Sequence, residues 1–333
     1  MKRLILALLF LATPALADKL ADAQYILRHP EKNYAVGQIA WAKAFIAANA
    51  APSPVATANV SSSAGLITAL AKAKGGETIK LAPGNYSLQI VGVNPATPVT
   101  IDGSAGAIIT AGSSCSNSSN LTFYKVGLKG STAMPNGAYG FKWANCSKID
   151  WTDSELWNDD RSGTAFIAKS SINRGFRILR DKIHGWCDGL SLFGWQDTLV
   201  DSSEFYGMGA DSLKISNSVN AVVTHNWFHD AASLPTTHPD PMQWQGTNKN
   251  FVFSFNTIKA AGQGTGDYGQ GPNTGTIEGN SFTMSIYQNA ILHSNTDGVA
   301  KNNVAISGPI HPALFRFGRM KHFGNRIDGK AVD

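Results

Sequence analysis

The sequence predicts an all-β solenoid, and three observations carry that prediction. One short unit recurs: an apolar strand, then Asn, Asp or Ser, then an apolar residue, as in IDWTDSEL, FRILRDKI, TLVDSSEF, VVTHNWF, FVFSFNTI, TIEGNSF, VAKNNV and HFGNRI. Anchored on Asp153, Asp181, Ser203, Asn226, Asn256, Asn280, Asn303 and Asn325, the units lie 22 to 30 residues apart, a period that marks stacked repeats. The units are also rich in Val, Ile, Phe and Thr with two-residue alternation, the pattern of strands and not of helical repeats. Finally, a buried amide needs partners, so an Asn at fixed phase predicts a ladder that bonds the turn backbones above and below it.

The elements follow in order. Lys2 and Arg3, the apolar run Leu4 to Ala12 and Ala15-Leu16-Ala17 predict a signal peptide over residues 1–17, hence an exported chain, periplasmic or extracellular. Residues 18–58 are expected to form an Ala-rich helical segment, with Ile39, Ala40, Ala44 and Phe45 at helical spacing, and a linker from Ala50 to Ala58. SSSAGLITALAKAKGGETIKLAPGNYS then predicts a Ser-capped helix ending at Gly75-Gly76, an alternating strand Thr78-Ile79-Lys80-Leu81 and a Pro-Gly-Asn turn. Such a helix would cap the open end of a strand stack spanning residues 59–333.

Several classes are excluded. The formal charge of +5 falls to +3 without Lys2 and Arg3, too little and too dispersed for a nucleic-acid stripe. No segment after the first residues offers the roughly 18 apolar residues of a membrane span. Cys115, Cys146 and Cys187 allow at most one disulfide and read as small core residues. A monomer is expected.

A second register follows each ladder position: DGLSLFG from 188, DSLKISN from 211, DPMQWQG from 240, NAILHSN from 289 and PALFRFG from 312. Asp188, Asp211 and Asp240 thus share one place in three successive coils. Side chains alternate along a strand, so Ser191, Lys214, Gln243, Leu292 and Phe315 are expected to face outward, with Lys214 beside Gln243. The coil before Asp240 is enlarged around AASLPTT, which delivers His238-Pro239-Asp240. A loop that grows on a repeat scaffold is where binding and catalysis concentrate.

These features resemble the right-handed parallel β-helix proteins of the pectate-lyase-like superfamily, through GGETIKLAPGNYS and the Asn ladder ending NSF, NNV and NRI, over roughly residues 60 to 330. The resemblance implies a single-stranded right-handed parallel β-helix with an N-terminal helical segment and capping helix. It also implies a carbohydrate-active protein, since family members include pectate, alginate and chondroitin lyases, alginate epimerases, polygalacturonases and phage tailspikes. DSLKISNSVNAVVTHNWF is similar to the alginate and chondroitin lyase branch, although Asn217 and Ser218 stand where that branch carries a Lys. Of the polygalacturonase motifs, only an Asn295-Thr296-Asp297 match is present.

Two chemistries suit the outer strip. A uronate lyase acting on an acidic polysaccharide must neutralise the sugar carboxylate and remove a proton beside it. Asp188, Asp211 and Asp240 are candidate ligands for a Ca²⁺ ion, Lys214 or His238 a candidate base, and Tyr206 or His225 a candidate proton donor, with Asp240 also in the catalytic set. Gln243, Gln245 and Arg316 are candidate substrate contacts, and Trp186 and Trp195 are expected to flank the cleft through their ring faces. The alternatives are a glycoside hydrolase using paired Asp, a uronate epimerase, or a non-catalytic glycan-binding β-helix.

Overall fold

The computed structural model describes residues 56–332 except 136, 170–172, 232–236, 238, 261, 269–270 and 286–288. The expected signal peptide and the Ala-rich segment before residue 56 lie outside the described residues. Those described belong to one compact unit, Val55–Asp333. Among them, no helix is long and apolar enough to cross a membrane.

Three parallel sheets wrap one core. The first and third hold 12 strands each and the second holds 10. Each coil visits them in the order first, third, second. Val222–Thr224, for example, is followed by Trp227–His229 and Met242–Gln245, and the next coil begins with Phe251–Ser254. Among the described residues pairing is parallel, except where Arg326–Ile327 meets Lys330–Ala331 in an antiparallel hairpin.

The first strand is Ala56–Val60, paired with Thr78–Leu81. The stretch expected as linker therefore ends in sheet, since its last residues, 56–58, belong to this strand. Between these strands lies helix α1, Ser63–Lys72. The Ser62 hydroxyl accepts the Gly65 N–H at 3.1 Å, and Leu66 and Leu70 are buried in the core at a spacing that puts both on one helix face.

The interior is filled by inward rows of Val, Ile, Leu, Phe and Trp. Phe123 and Trp151 stack at 4.6 Å, as do Phe141 and Trp143 at 4.4 Å. Fully burying one such side chain contributes about 1.5–3 kcal/mol. Cys115 and Cys146 belong to this core, both thiols free, with their sulfurs 3.7 Å apart.

The turn from first to third sheet is a ladder. Asn226, Asn256, Asn280, Asn303 and Asn325 are buried. The Oδ1 of each of the last four accepts the N–H of the ladder residue one coil earlier at 2.9–3.1 Å. The Nδ2 of all five donates to a carbonyl of the preceding coil at 2.9–3.0 Å. The residue before each rung is left-handed, as in Arg180, Ser202, His225 and Phe255 with φ from 53° to 62°. This corrects one anchor: Asp153 is that left-handed residue (φ 54°) and Ser154 is the rung, its N–H donating to Asp181 Oδ1 at 2.7 Å. A second ladder stands at the turn from second to first sheet, where Asn248 Oδ1 accepts from Ser218 N and Asn273 Oδ1 from Asn248 N.

Candidate functional site

The third turn, from third to second sheet, carries the Asp column, and its first task is structural. Asp188 Oδ1 accepts the Asp211 N–H at 3.2 Å, Asp211 Oδ1 accepts the Asp240 N–H at 3.1 Å, and Asp240 Oδ1 accepts the Gln263 N–H at 2.7 Å. One oxygen of each carboxylate thus stitches a coil to the next, as an Asn does elsewhere. The second oxygens of Asp211 and Asp240 reach other partners. Asp211 Oδ2 takes the Lys214 ammonium at 2.9 Å, which also lies 2.9 Å from Asp188 Oδ1. Asp240 Oδ2 accepts from Gln243 Nε2 at 3.1 Å, and Gln245 Nε2 donates to Gln243 Oε1 at 2.9 Å.

Strand register explains the strip. Ser191, Lys214, Gln243 and Gly266 pair in consecutive coils of the second sheet and point away from the core. Tyr268 lies across this row. A Cβ on Gly266 would meet its ring atoms at 2.7–3.0 Å, so only glycine leaves room for the ring beside Gln243. The Tyr268 hydroxyl is buried next to the Asp240 carboxylate, and burial first and that negative charge second push its pKa far up. Sequence reasoning missed Tyr268, although the bare Gly266 two residues earlier was a usable signal.

The electrostatics divide the strip. Asp211 is 6% exposed, and burial raises its pKa to about 6. The Lys214 ammonium opposes that rise and the Asp240 carboxylate reinforces it. Burial pulls the Lys214 pKa down, but the Asp211 and Asp188 carboxylates outweigh it and the net shift is upward. As an ammonium Lys214 neutralises part of the charge of both carboxylates, and to act as the expected base it would first have to give up a proton that they hold. At the outer end the Asp188 and Lys214 side chains keep 21% and 20% of their exposure, whereas Asp240 keeps 1%.

The donor set does not fit Ca²⁺. Each column Oδ1 already takes a backbone N–H, and two of the carboxylates grip the Lys214 ammonium. Among the described residues no group of three or more His, Cys, Asp or Glu side chains is arranged to hold a metal ion.

The other expected residues fall elsewhere. His238 lies outside the described residues. His225 sits at the turn from first to third sheet, near Asp201 Oδ1 at 3.3 Å and stacked on Phe255. The intervening strands separate it from Lys214. Tyr206 is on the outer face of the third sheet, stacked between His184 and His229. Trp186 and Trp195 are fully buried, so neither presents a ring face to a cleft; both belong to the core. Arg316 does reach the outer row: the register slips after Asn289, which pairs Leu292 with Arg316 and brings Phe315 opposite buried Ile291. Arg316 is exposed three coils beyond Gln243.

No family model matches the chain, and no curated protein matches it. Solved structures do. The surface adhesin PfbA of Streptococcus pneumoniae matches with a TM-score of 0.51 at 11% identity, covering 79% of this chain and 87% of that one. The catalytic domain of a GH87 α-1,3-glucanase bound to nigerose gives 0.49 at 11% identity, covering 84% of this chain and 58% of that one. The pectate lyase Pel9A gives 0.40 at 14% identity, covering 84% and 83%. At such low identity, the adhesin match shows the fold alone: this chain is a parallel β-solenoid.

Proposed function

We propose that this chain is an exported, glycan-active enzyme that hydrolyses glycosidic bonds, with Asp211 as proton donor and Asp188 as the second carboxylate. The observation that carries the proposal is a buried carboxyl poised near pH 6, sharing one lysine with a more exposed carboxylate one coil away. Paired carboxyl groups in unlike environments are what acid-assisted glycoside cleavage needs. The two oxygens that grip Lys214 are each 2.9 Å from it and so at most 5.8 Å apart. That upper bound lies below the roughly 6.5–9.5 Å used to admit a water for inversion and is compatible with the roughly 5–5.5 Å of retention.

In this scheme neutral Asp211 protonates the glycosidic oxygen while an Asp188 oxygen attacks the anomeric carbon and the leaving sugar departs. Asp211, now a carboxylate beside Lys214, next takes a proton from water. The resulting hydroxide oxygen displaces Asp188 from the anomeric carbon. Asp240 and Gln243 act behind the pair: the Asp240 charge helps keep Asp211 protonated, and Gln243 fixes the Asp240 carboxylate. Elimination on an acidic polysaccharide has one observation in its favour, the Lys214 cation. Even with Asp211 neutral, however, the Asp188 and Asp240 carboxylates outnumber the one ammonium, which disfavours a uronate chain and favours a neutral glycan.

The test is incubation of the full chain with neutral and uronate polysaccharides. The expected result is new reducing ends of retained anomeric configuration, without absorbance from a new C=C bond, at a rate that falls as pH rises through about 6 and Asp211 loses its proton. Appearance of C=C absorbance would establish elimination instead.

A further inference from the structure

The outer face of the third sheet carries a feature that folding does not require. Its register aligns Trp157, His184, Tyr206 and His229 in one outward row. His184 and Tyr206 stack with centroids 4.4 Å apart and planes 10° apart, and Tyr206 and His229 at 5.4 Å and 12°. Trp227, from the adjacent row, folds over His229 at 3.7 Å and 24°. Both imidazoles are held from the side. His184 Nε2 lies 3.0 Å from Glu155 Oε1, while His229 bonds Glu204 Oε1 at 3.0 Å and Asp230 Oδ2 at 2.8 Å.

Rings stacked along the coil axis show water only their edges; a ring at the end of the stack can show a face. Trp227 is at that end and is 48% exposed, whereas Trp143, Trp151, Trp186, Trp195 and Trp244 are fully buried. Leaving a large apolar ring face in water is unfavourable, and an aromatic face with polar neighbours suits a ligand that has one apolar and one polar side. Polar groups lie nearby: Thr257 pairs with Trp227 from the next coil, and Asp230, which bonds the His229 ring stacked on Trp227, also holds Lys259 at 3.1 Å, with both side chains more than half exposed.

We propose that Trp227 is the platform of a second glycan-binding site, on a different sheet from the Asp column, that takes a pyranose ring of a polysaccharide chain. A pyranose has an apolar C–H face edged by hydroxyls, which matches one flat ring with a carboxylate, an ammonium and a threonine nearby. A protein partner would need a far larger contact. The stack makes the platform rigid before binding, so little ordering cost opposes it.

The inference does not rest on hydrolysis at Asp211, and its test keeps the two apart. The full chain carrying Asp211→Asn is run through native gels containing starch, mixed-linkage β-glucan, xylan, mannan or polygalacturonate, beside the same chain with Trp227→Ala or Trp227→Phe added. At least one polysaccharide is expected to retard the parent. Trp227→Ala should weaken that binding by about tenfold or more, with Trp227→Phe intermediate, in proportion to the ring face lost. Because Trp227 is half-exposed, the melting temperature should fall only slightly. If no polysaccharide retards the parent, or if Trp227→Ala binds as tightly as it does, the platform is refuted, whatever the activity assays show.

Discussion

The Asn ladder and the Asp column make the same hydrogen bond and end in different chemistry. In both, a side-chain Oδ1 accepts a backbone N–H from an adjacent coil, at 2.9–3.1 Å in the Asn226–Asn325 run and 2.7–3.2 Å in the Asp188–Asp240 run. The difference lies in the second atom. An Asn fills it with Nδ2–H, which finds a strand carbonyl and leaves a neutral, satisfied interior. An Asp fills it with a second acceptor that no carbonyl can serve, so the protein brings Lys214 to Asp211 and Gln243 to Asp240. The fold thus accounts for one oxygen of each column carboxylate, and function begins at the other.

That contrast is broken most sharply at Asp211. Asp211→Asn keeps an Oδ1 for the Asp240 N–H, so the ladder bond survives, but it removes the ionisable proton. Hydrolysis should fall by about 10²–10⁴-fold, the usual contribution of a positioned general acid. Thermal unfolding should move little. Activity retained in this variant, whose ladder bond is intact, would mean that the column is only a ladder.

The matching change on the Asn side should do the reverse. Asn256→Ala leaves the Asn226 N–H and Nδ2–H without their shared acceptor in the interior and opens a void. A buried unsatisfied donor costs about 1–3 kcal/mol, so denaturant unfolding should show a loss of about 3 kcal/mol, with specific activity of the folded fraction unchanged.

How much of this was legible in the sequence follows from the same distinction. Ladders repeat at fixed phase, so the strand units and the placement of Lys214 beside Gln243 could be read from spacing alone. The error of one residue at Asp153 arose because a left-handed Asp and a rung Ser are adjacent and both are turn formers. The second ladder, through Asn248 and Asn273, was missed because its rungs follow variable sequence. Parity failed for Phe315, expected to face outward, because a bulge moves every later side chain to the other face. Trp186 and Trp195 were misjudged since a Trp in a turn has the same letter whether its ring faces in or out, and Tyr268 escaped because its position depends on an absent side chain, at Gly266 in the strand just before it. Even the column's backbone duty was invisible, since it shows only when adjacent coils are in contact.

The smallest effect sits where the two regions blend. Asp181 is a carboxyl placed in the Asn ladder: Oδ1 accepts the Ser154 N–H at 2.7 Å, as an Asn would, but Oδ2 is buried without a hydrogen-bond partner. Burial pushes its pKa well up, so the folded chain holds a proton that the unfolded chain releases above about pH 4. The unfolded state therefore binds fewer protons than the native state over that window, and stability falls as pH rises through it. Asp181→Asn replaces Oδ2 with a donor for the equivalent carbonyl, Trp151, and removes the titration. The variant should match the parent near pH 4 and exceed it by about 1 kcal/mol at pH 8. Parallel unfolding curves of the two chains across that range would place Asp181 with the Asp column, as a carboxylate kept for a purpose beyond the fold.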